Sequence, residues 1–410
     1  MAQKNGTKVT EFTLLGLSHT PELQIIFFVV FLFLYLLTIA GNLLIMVTIH
    51  VDCHLHSPMY FFLSNLSFLD LCYSTVTVPK SLIDFLSHNK TISFNDCLAQ
   101  LFFLHFFAGT ECFLLTLMAY DRYVAICNPL RYTTIMNRSV RLQLVALTWA
   151  GSFVHAIIQV LLSFQLSFCG PNEINHFFCD VHPLNLLACS SIFIIEAVMV
   201  ANCGMISVSC FVVLLASYTG ILSTVLRIRS ADGRRKAFST CASHLTVVSL
   251  FFGPSVFIYM RPSVTFPADK VVSVFYTVIT PLLNPIIYTL RNEEVKTAIK
   301  KLWQWQQNLK EEIRHRLLYT QGLTSHMEAC VGEEGRDFIF KSHSILEISG
   351  VFSRKRGDLM EESDSMLLLR VEPGRHRCTC SLGPMHHHIG QEGEKKWKDH
   401  DCQNGIDPTG

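Results

Sequence analysis

Long apolar runs separated by short polar links fill the first three-quarters of this chain. A helix needs roughly 20 mainly apolar residues to cross a bilayer. Seven segments meet that length: 23–49, 58–86, 97–126, 142–164, 193–226, 238–260 and 271–290. The second is the least apolar, carrying Asp70, Lys80 and Asp84. One such run fits the buried core helix of a soluble protein. Seven with short links predict an all-α membrane protein, a bundle of seven transmembrane helices over 23–290.

Lys and Arg collect in alternate links. Arg122 closes the third segment and Arg131, Arg138 and Arg141 follow it, and Arg227, Arg229, Arg234, Arg235 and Lys236 follow the fifth. Arg291, Lys296, Lys300 and Lys301 follow the seventh, whereas the link from Gln165 to Ile192 has neither residue. Basic links stay on the cytoplasmic side. This places the N-terminus (1–22) outside and the C-terminus inside. The sequon Asn5-Gly6-Thr7 then falls outside as a glycosylation site, with Asn89-Lys90-Thr91 a second, closer to the membrane. The stretch 1–20 lacks the apolar core of a cleavable signal peptide, so the first span acts as its own insertion signal.

Beyond the seventh span, Val295, Ala298, Ile299, Leu302 and Trp303 recur at helical spacing with lysines between them. That pattern predicts a short amphipathic helix over 291–305 lying on the inner leaflet. From 306 to 410, charged residues, Gly and Pro replace apolar runs, and a disordered C-terminal tail is expected. The run Met366-Leu367-Leu368-Leu369 is too short to span anything. Cys378, Cys380 and His386, His387, His388 fit no standard zinc spacing.

Composition agrees. Hydrophobic residues make up 50% and charged residues 16%, against about 25% charged in soluble domains. The net charge of +1 implies no acidic polymer partner, and a nucleic-acid role has no support. No nucleophile–base pair or metal constellation suggests an enzyme. The 15 cysteines are an odd number, so at least one is not paired within the chain. Cys97, Cys169, Cys179 and Cys189 fall on the outer, oxidising side, where four cysteines allow three connectivities. Cys53, Cys127 and Cys241 fall on the inner side and are expected to stay free. Ionisable groups inside spans are costly and mark function. Those singled out here are Asp70, Glu111 and the adjacent Asp121 and Arg122. Two facing carboxyls repel unless protonated or bridged by a cation.

Five separated motifs carry a specific resemblance. They are Gly41-Asn42, PMYFFLSNLSFLD at 58–70, MAYDRYVAIC at 118–127, KAFSTCASHL at 236–245 and PLLNPIIY at 281–288. Together they resemble the odorant receptors, a branch of the rhodopsin-like G-protein-coupled receptors, over about residues 10–305. The resemblance implies a plasma-membrane receptor for small, mostly apolar volatile molecules. It also implies a stimulatory heterotrimeric G protein as partner and a rise in cyclic AMP.

By the same resemblance, the ligand pocket is lined by His105, Ala108, Gly109, Cys112, Asn202, Ile206, Phe252, Tyr259 and Thr277. Arg122 is the activation latch, able to pair with Asp121. Tyr123, Tyr218, His244, Asn284, Pro285 and Tyr288 serve in switching and coupling, with His244 a resting-state partner for the Arg122 region. The implied disulfides are Cys97–Cys179 and Cys169–Cys189. Asp70 and Glu111, with Asn42 and Asn284 nearby, could hold a sodium ion or share a proton. The chain departs from the family at Phe251-Phe252-Gly253-Pro254, where a tyrosine commonly replaces Phe252, and in its long tail. A non-olfactory chemosensor of the same design fits equally well. A transporter would call for inverted repeats or broken helices, and none is visible.

Overall fold

The computed structural model describes residues 9–18, 20–168, 172–189, 193–227, 230–260, 266, 268–333, 366–371 and 378–383. Asn5, Cys169 and His386, His387, His388 lie outside these residues, as does most of the tail expected to be disordered.

Seven long helices form where the apolar runs predict them. These are α1 (Pro21–Val51), α2 (Pro58–Leu86), α3 (Phe94–Cys127), α4 (Arg138–Phe164), α5 (Phe193–Arg227) and α6 (Ala231–Tyr259). The seventh, α7, runs from Asp269–Val274 through a π-helical turn, Phe275–Ile279, into Thr280–Arg291. Several start earlier than hydropathy alone suggests, because polar caps extend them. Ser93 Oγ accepts from Asp96 N at 3.1 Å, and Asn137 Oδ1 accepts from Val140 N at 3.0 Å. These side chains satisfy amides that have no partner within a helix. In α6 the polar stretch Ala231–Ala237 prolongs the helix beyond its apolar part, behind a Ser230 cap.

The helices differ in what surrounds them. In the most apolar window of α1 only 11% of residues are buried, against 61% in α3. α1 is therefore a peripheral helix with an apolar outer surface, and α3 is the central post. It packs against α2, α4, α5 and α6. One large apolar cluster, including Phe62, Leu66, Leu115 and Phe251, fills the interior.

Pro285 lies inside α7 and has no N–H to give the carbonyl of Pro281. That carbonyl instead accepts the Asn42 amide from α1 at 3.1 Å. Gly41 sits beside it, where an added Cβ would lie 3.2 Å from Pro285 Cγ. A proline and an Asn–Gly pair thus fasten α1 to α7.

One mouth of the bundle is capped. The strands β1 (Glu11–Leu14), β2 (Thr91–Ser93) and β3 (Glu173–Ile174) form a small sheet ordered β2-β1-β3, antiparallel then parallel. Phe12 and Leu14 alternate inward onto Cys97, Leu101, Ile174 and Cys179. Gly16, at φ +71°, turns the chain after β1, and its carbonyl accepts from Lys270 Nζ at 2.7 Å. The expected Cys97–Cys179 disulfide is present and ties α3 to the link before α5. Cys189 is also disulfide-bonded, while its expected partner Cys169 is outside the described residues. Cys127 and Cys241 are free thiols, but Cys53 is disulfide-bonded. A disulfide depends on two sulfurs coming within reach in the fold, which spacing along a sequence does not disclose.

The surface helix expected at 291–305 opens α8 (Glu293–Glu333). Val295 and Ala298 on its first turns are buried in the main cluster. Helix-forming residues from Gln304 through Leu318, with no Gly or Pro among them, carry it onward. Beyond Trp303 the chain forms a second compact unit. It holds the rest of α8 and a pair of antiparallel strands, β4 (Met366–Val371) and β5 (Cys378–Gly383).

The disulfide closes a loop of 82 residues in sequence, which stabilises the fold by about 4 kcal/mol through lost unfolded-state entropy. Cys179→Ser is expected to abolish surface-labelled receptor in cells. Wild-type surface levels would overturn that assignment.

Candidate functional site

Polar groups buried inside the bundle fall into three clusters along its length. The first lies beneath the capped mouth. Asp180 caps the short helix Val181–Asn185, its Oδ1 accepting from Val181 N at 2.7 Å. Its Oδ2 accepts from Tyr259 Oη of α6 at 2.9 Å. Tyr276 Oη of α7 lies 3.3 Å from Tyr259 Oη, and His105 Nε2 of α3 lies 3.6 Å from Asp180 Oδ1. His176 Nε2 meets Ser273 Oγ at 3.2 Å. Burial alone would push Asp180 up, but the imidazoles of His105, His182 and His176 hold its carboxyl below the ordinary value. Burial pushes His176 down to about 4, helped by Lys270 and opposed by Asp180 and Asp269.

The expected pocket residues divide around this cluster. His105 and Tyr259 join it directly. Ala108, Cys112, Ile206 and Phe252 belong to the apolar interior below it. Asn202 donates to the His155 carbonyl at 3.4 Å. Gly109 faces α4, where an added Cβ would lie 3.4 Å from both Ser152 and His155. Thr277 is wholly buried, and its hydroxyl donates to Ser273 O at 2.7 Å. Gly109 thus lies against α4, and Thr277 bonds along its own helix.

The second cluster is central. Asn284 Nδ2 of α7 lies 3.0 Å and 3.1 Å from the two oxygens of Asp70 on α2. Glu111 of α3 is fully buried beside them, close enough for its charge to act on Asp70. Both Glu111 oxygens, Asn42 Oδ1, Asn284 Oδ1 and Tyr288 Oη are buried without a hydrogen-bond partner. Several oxygen acceptors without donors make a donor set suited to a hard cation.

The third cluster lines the opposite mouth. A cavity of about 380 Å³ is bounded by Tyr60, Asp121, Arg122, Tyr132, Gly233 and Glu294 among others. Arg122 is buried, with its Nε unpartnered. Asp121 does not form an ion pair with it. The carboxylate lies 3.0 Å and 3.2 Å from Tyr132 Oη in the following link. Consecutive helix residues point in different directions, so adjacency in sequence does not make a pair. Nor is His244 hydrogen-bonded to Arg122. Its Nε2 meets Leu115 O at 3.0 Å and its Nδ1 meets Tyr218 Oη at 2.6 Å. A carbonyl can only accept, so Nε2 donates and a neutral ring accepts the tyrosine hydrogen at Nδ1. Tyr123 packs on Gly220 of α5, where an added Cβ would come within 2.5 Å of its ring.

Sequence reasoning missed Asp180, His155, His176, Ser273 and Tyr276. Asp180 had one visible signal, an acid beside Cys179 in a link without Lys or Arg.

Titration of His176 gives a pH prediction. Its folded value of about 4 lies below its ordinary 6.5. The contribution of the neutral ring is therefore complete above pH ~6.5 and lost as pH falls toward ~4. At pH 5 this amounts to about 2 kcal/mol. The unfolding temperature of purified receptor should drop over that range, and less so in His176→Asn. Equal drops would refute the role of His176.

The sequence pattern that defines the olfactory receptor family matches residues 31–305. Olfactory receptor 4Q2 of Homo sapiens is 60% identical over 303 residues, covering 73% of this chain and 96% of that protein. Olfactory receptor 4S2 of Homo sapiens is 59% identical over 295 residues, 72% of this chain and 94% of that protein. Olfactory receptor 4E2 of Mus musculus is 58% identical over 304 residues, 74% and 98% respectively. Squid rhodopsin shares the fold at 15% identity, with a TM-score of 0.55 over 70% of this chain and 87% of that one. Its seven membrane-length helices, its rhodopsin-like fold and its likeness to these receptors agree, and the chain belongs to the olfactory receptor family.

Proposed function

We propose that this receptor takes a small, mostly apolar odorant beneath its capped mouth and activates a stimulatory heterotrimeric G protein at the other, raising cyclic AMP. The capped mouth, with the N-terminus, faces outside. Arg122 and the start of α8 face the cytoplasm, and Asn5 carries the glycan. The observation that carries this reading is the buried Arg122, its Nε without a partner among the described residues, on a cavity of about 380 Å³. A guanidinium keeps its charge and offers five donors. It can therefore serve carbonyl acceptors at the end of a G-protein helix entering that cavity. At the outer end, Tyr259, Asp180 and His105 supply a few hydrogen-bonding groups beside an apolar wall of Ala108, Ile206 and Phe252. Such a lining suits a small molecule with one polar group.

The switch between the two ends runs through Asp121, Tyr123, Tyr218, His244, Asn284, Pro285 and Tyr288. On this reading, an inward swing of Arg122 needs the Tyr218–His244 pair to open. The central cluster supports a sodium ion held by Asp70 and Glu111, with Asn42 and Asn284 beside them. The cation would relieve repulsion between two buried carboxylates.

In surface-labelled cells expressing a stimulatory G protein, odorant mixtures should raise cyclic AMP, and Arg122→Ala should abolish the response at unchanged surface level. A retained response in that variant would overturn the latch. For the central cluster, replacing Na+ with N-methylglucamine should lower the unfolding temperature of purified receptor but leave Glu111→Gln unaffected. The same shift in both would rule out the cation.

A further inference from the structure

A set of side chains beside the proposed odorant pocket shares His105 with it and adds two residues, His155 and Cys203, that the signalling account does not use. His105 of α3, His155 of α4 and Cys203 of α5 each present one ligand atom, all within 4.8 Å of one another. Both imidazoles are buried, and their rings lie 5.6 Å apart. His105 Nε2 and His155 Nδ1 are buried without a hydrogen-bond partner, the first with Asp180 Oδ1 3.6 Å away. Cys203 carries a free thiol whose sulfur accepts from Gln159 Nε2 at 3.2 Å. Leaving two ring nitrogens unsatisfied in an apolar interior is costly. A bound ion would remove that cost at both rings together.

We propose that His105, His155 and Cys203 form a binding site for a Zn2+-class ion that bridges α3, α4 and α5. Two imidazoles and one thiolate are the borderline-soft donors that such an ion prefers. The thiolate is the form that binds metal, so the incoming ion displaces the Cys203 proton. A tetrahedral shell needs donor separations of about 3.5 Å, so these side chains close in by about an ångström on binding. Cys203 also borders a cavity of about 10 Å³ that Gln159 and Tyr259 line with it. That is room for one water. Three protein ligands and a water make an exchangeable site, unlike a closed four-ligand structural one. Asp180, beside His105, adds negative charge at the edge of the site. Metal binding needs neither odorant nor G protein, so this site and the signalling reading can fail independently.

The test uses full-length receptor in lipid nanodiscs, stripped of metal and titrated with Co2+. Cobalt reports thiolate ligation by a near-ultraviolet charge-transfer band and tetrahedral geometry by strong visible bands. Both should appear and then disappear when Zn2+ is added. Cys203→Ser should remove the charge-transfer band, and His155→Gln should weaken Co2+ binding at least tenfold. A wild-type protein without the band overturns the site. So does an unchanged band in Cys203→Ser, which would place the ion on another thiol. Thermal unfolding gives an independent reading. Zn2+ should raise the unfolding temperature of the wild type and not that of His155→Gln, and equal shifts would also refute the site.

Discussion

The bond from Asn284 to Asp70 is the interaction around which this bundle is arranged. It joins α7 to α2 inside the bundle, where both side chains are buried. In such surroundings a polar group must be answered by protein, by an ion, or by losing its charge. Glu111 sits on the third helix beside the same pair, so α2, α3 and α7 meet over one electrostatic question. The mostly apolar outer surface of α1, by contrast, asks only for lipid. The order of the helices, with α3 central and α1 outermost, follows from which of them carry groups that lipid cannot accept.

That division explains what the sequence disclosed. Spans are legible because hydropathy over about 20 residues is a property of one segment. Asn42, Asp70, Arg122 and Asn284 stand out because a polar residue in an apolar run is conspicuous. The Asp121–Tyr132 contact was not legible, because it depends on the direction in which a helix presents each side chain. His244 misled for a related reason. A lone histidine near an arginine invites pairing, yet a carbonyl and a tyrosine on other elements satisfy both of its nitrogens. The membership of β1 in a sheet with β2 and β3 rests on contacts between segments far apart in the chain. No local pattern reports it, although the inward alternation of Phe12 and Leu14 is visible afterwards.

The two mouths differ in kind. At one, a small sheet, a disulfide and the Asp180 cluster close over the helix ends, so groups there are buried and strongly perturbed. At the other, Arg122 borders an open cavity, and the neighbouring polar groups, Tyr132 with Asp121 and Tyr60 with Glu294, line its rim. Tyr60 donates to Glu294 at 2.6 Å and accepts from Asn292 at 3.0 Å, which sets the start of α8 against α2. A closed polar mouth suits selective capture of something small. An open one suits a large partner that brings its own surface.

The contact of Gly41 with Pro285 has a mechanical consequence. The proline ring already lies within 3.2 Å of where a methyl group would stand, so α1 and α7 are as near as their backbones permit. Neither helix can advance toward the other there. The Asn42 amide on the Pro281 carbonyl keeps them from parting at the same level. The contact thus pins the Thr280–Arg291 part of α7 to α1 at one level.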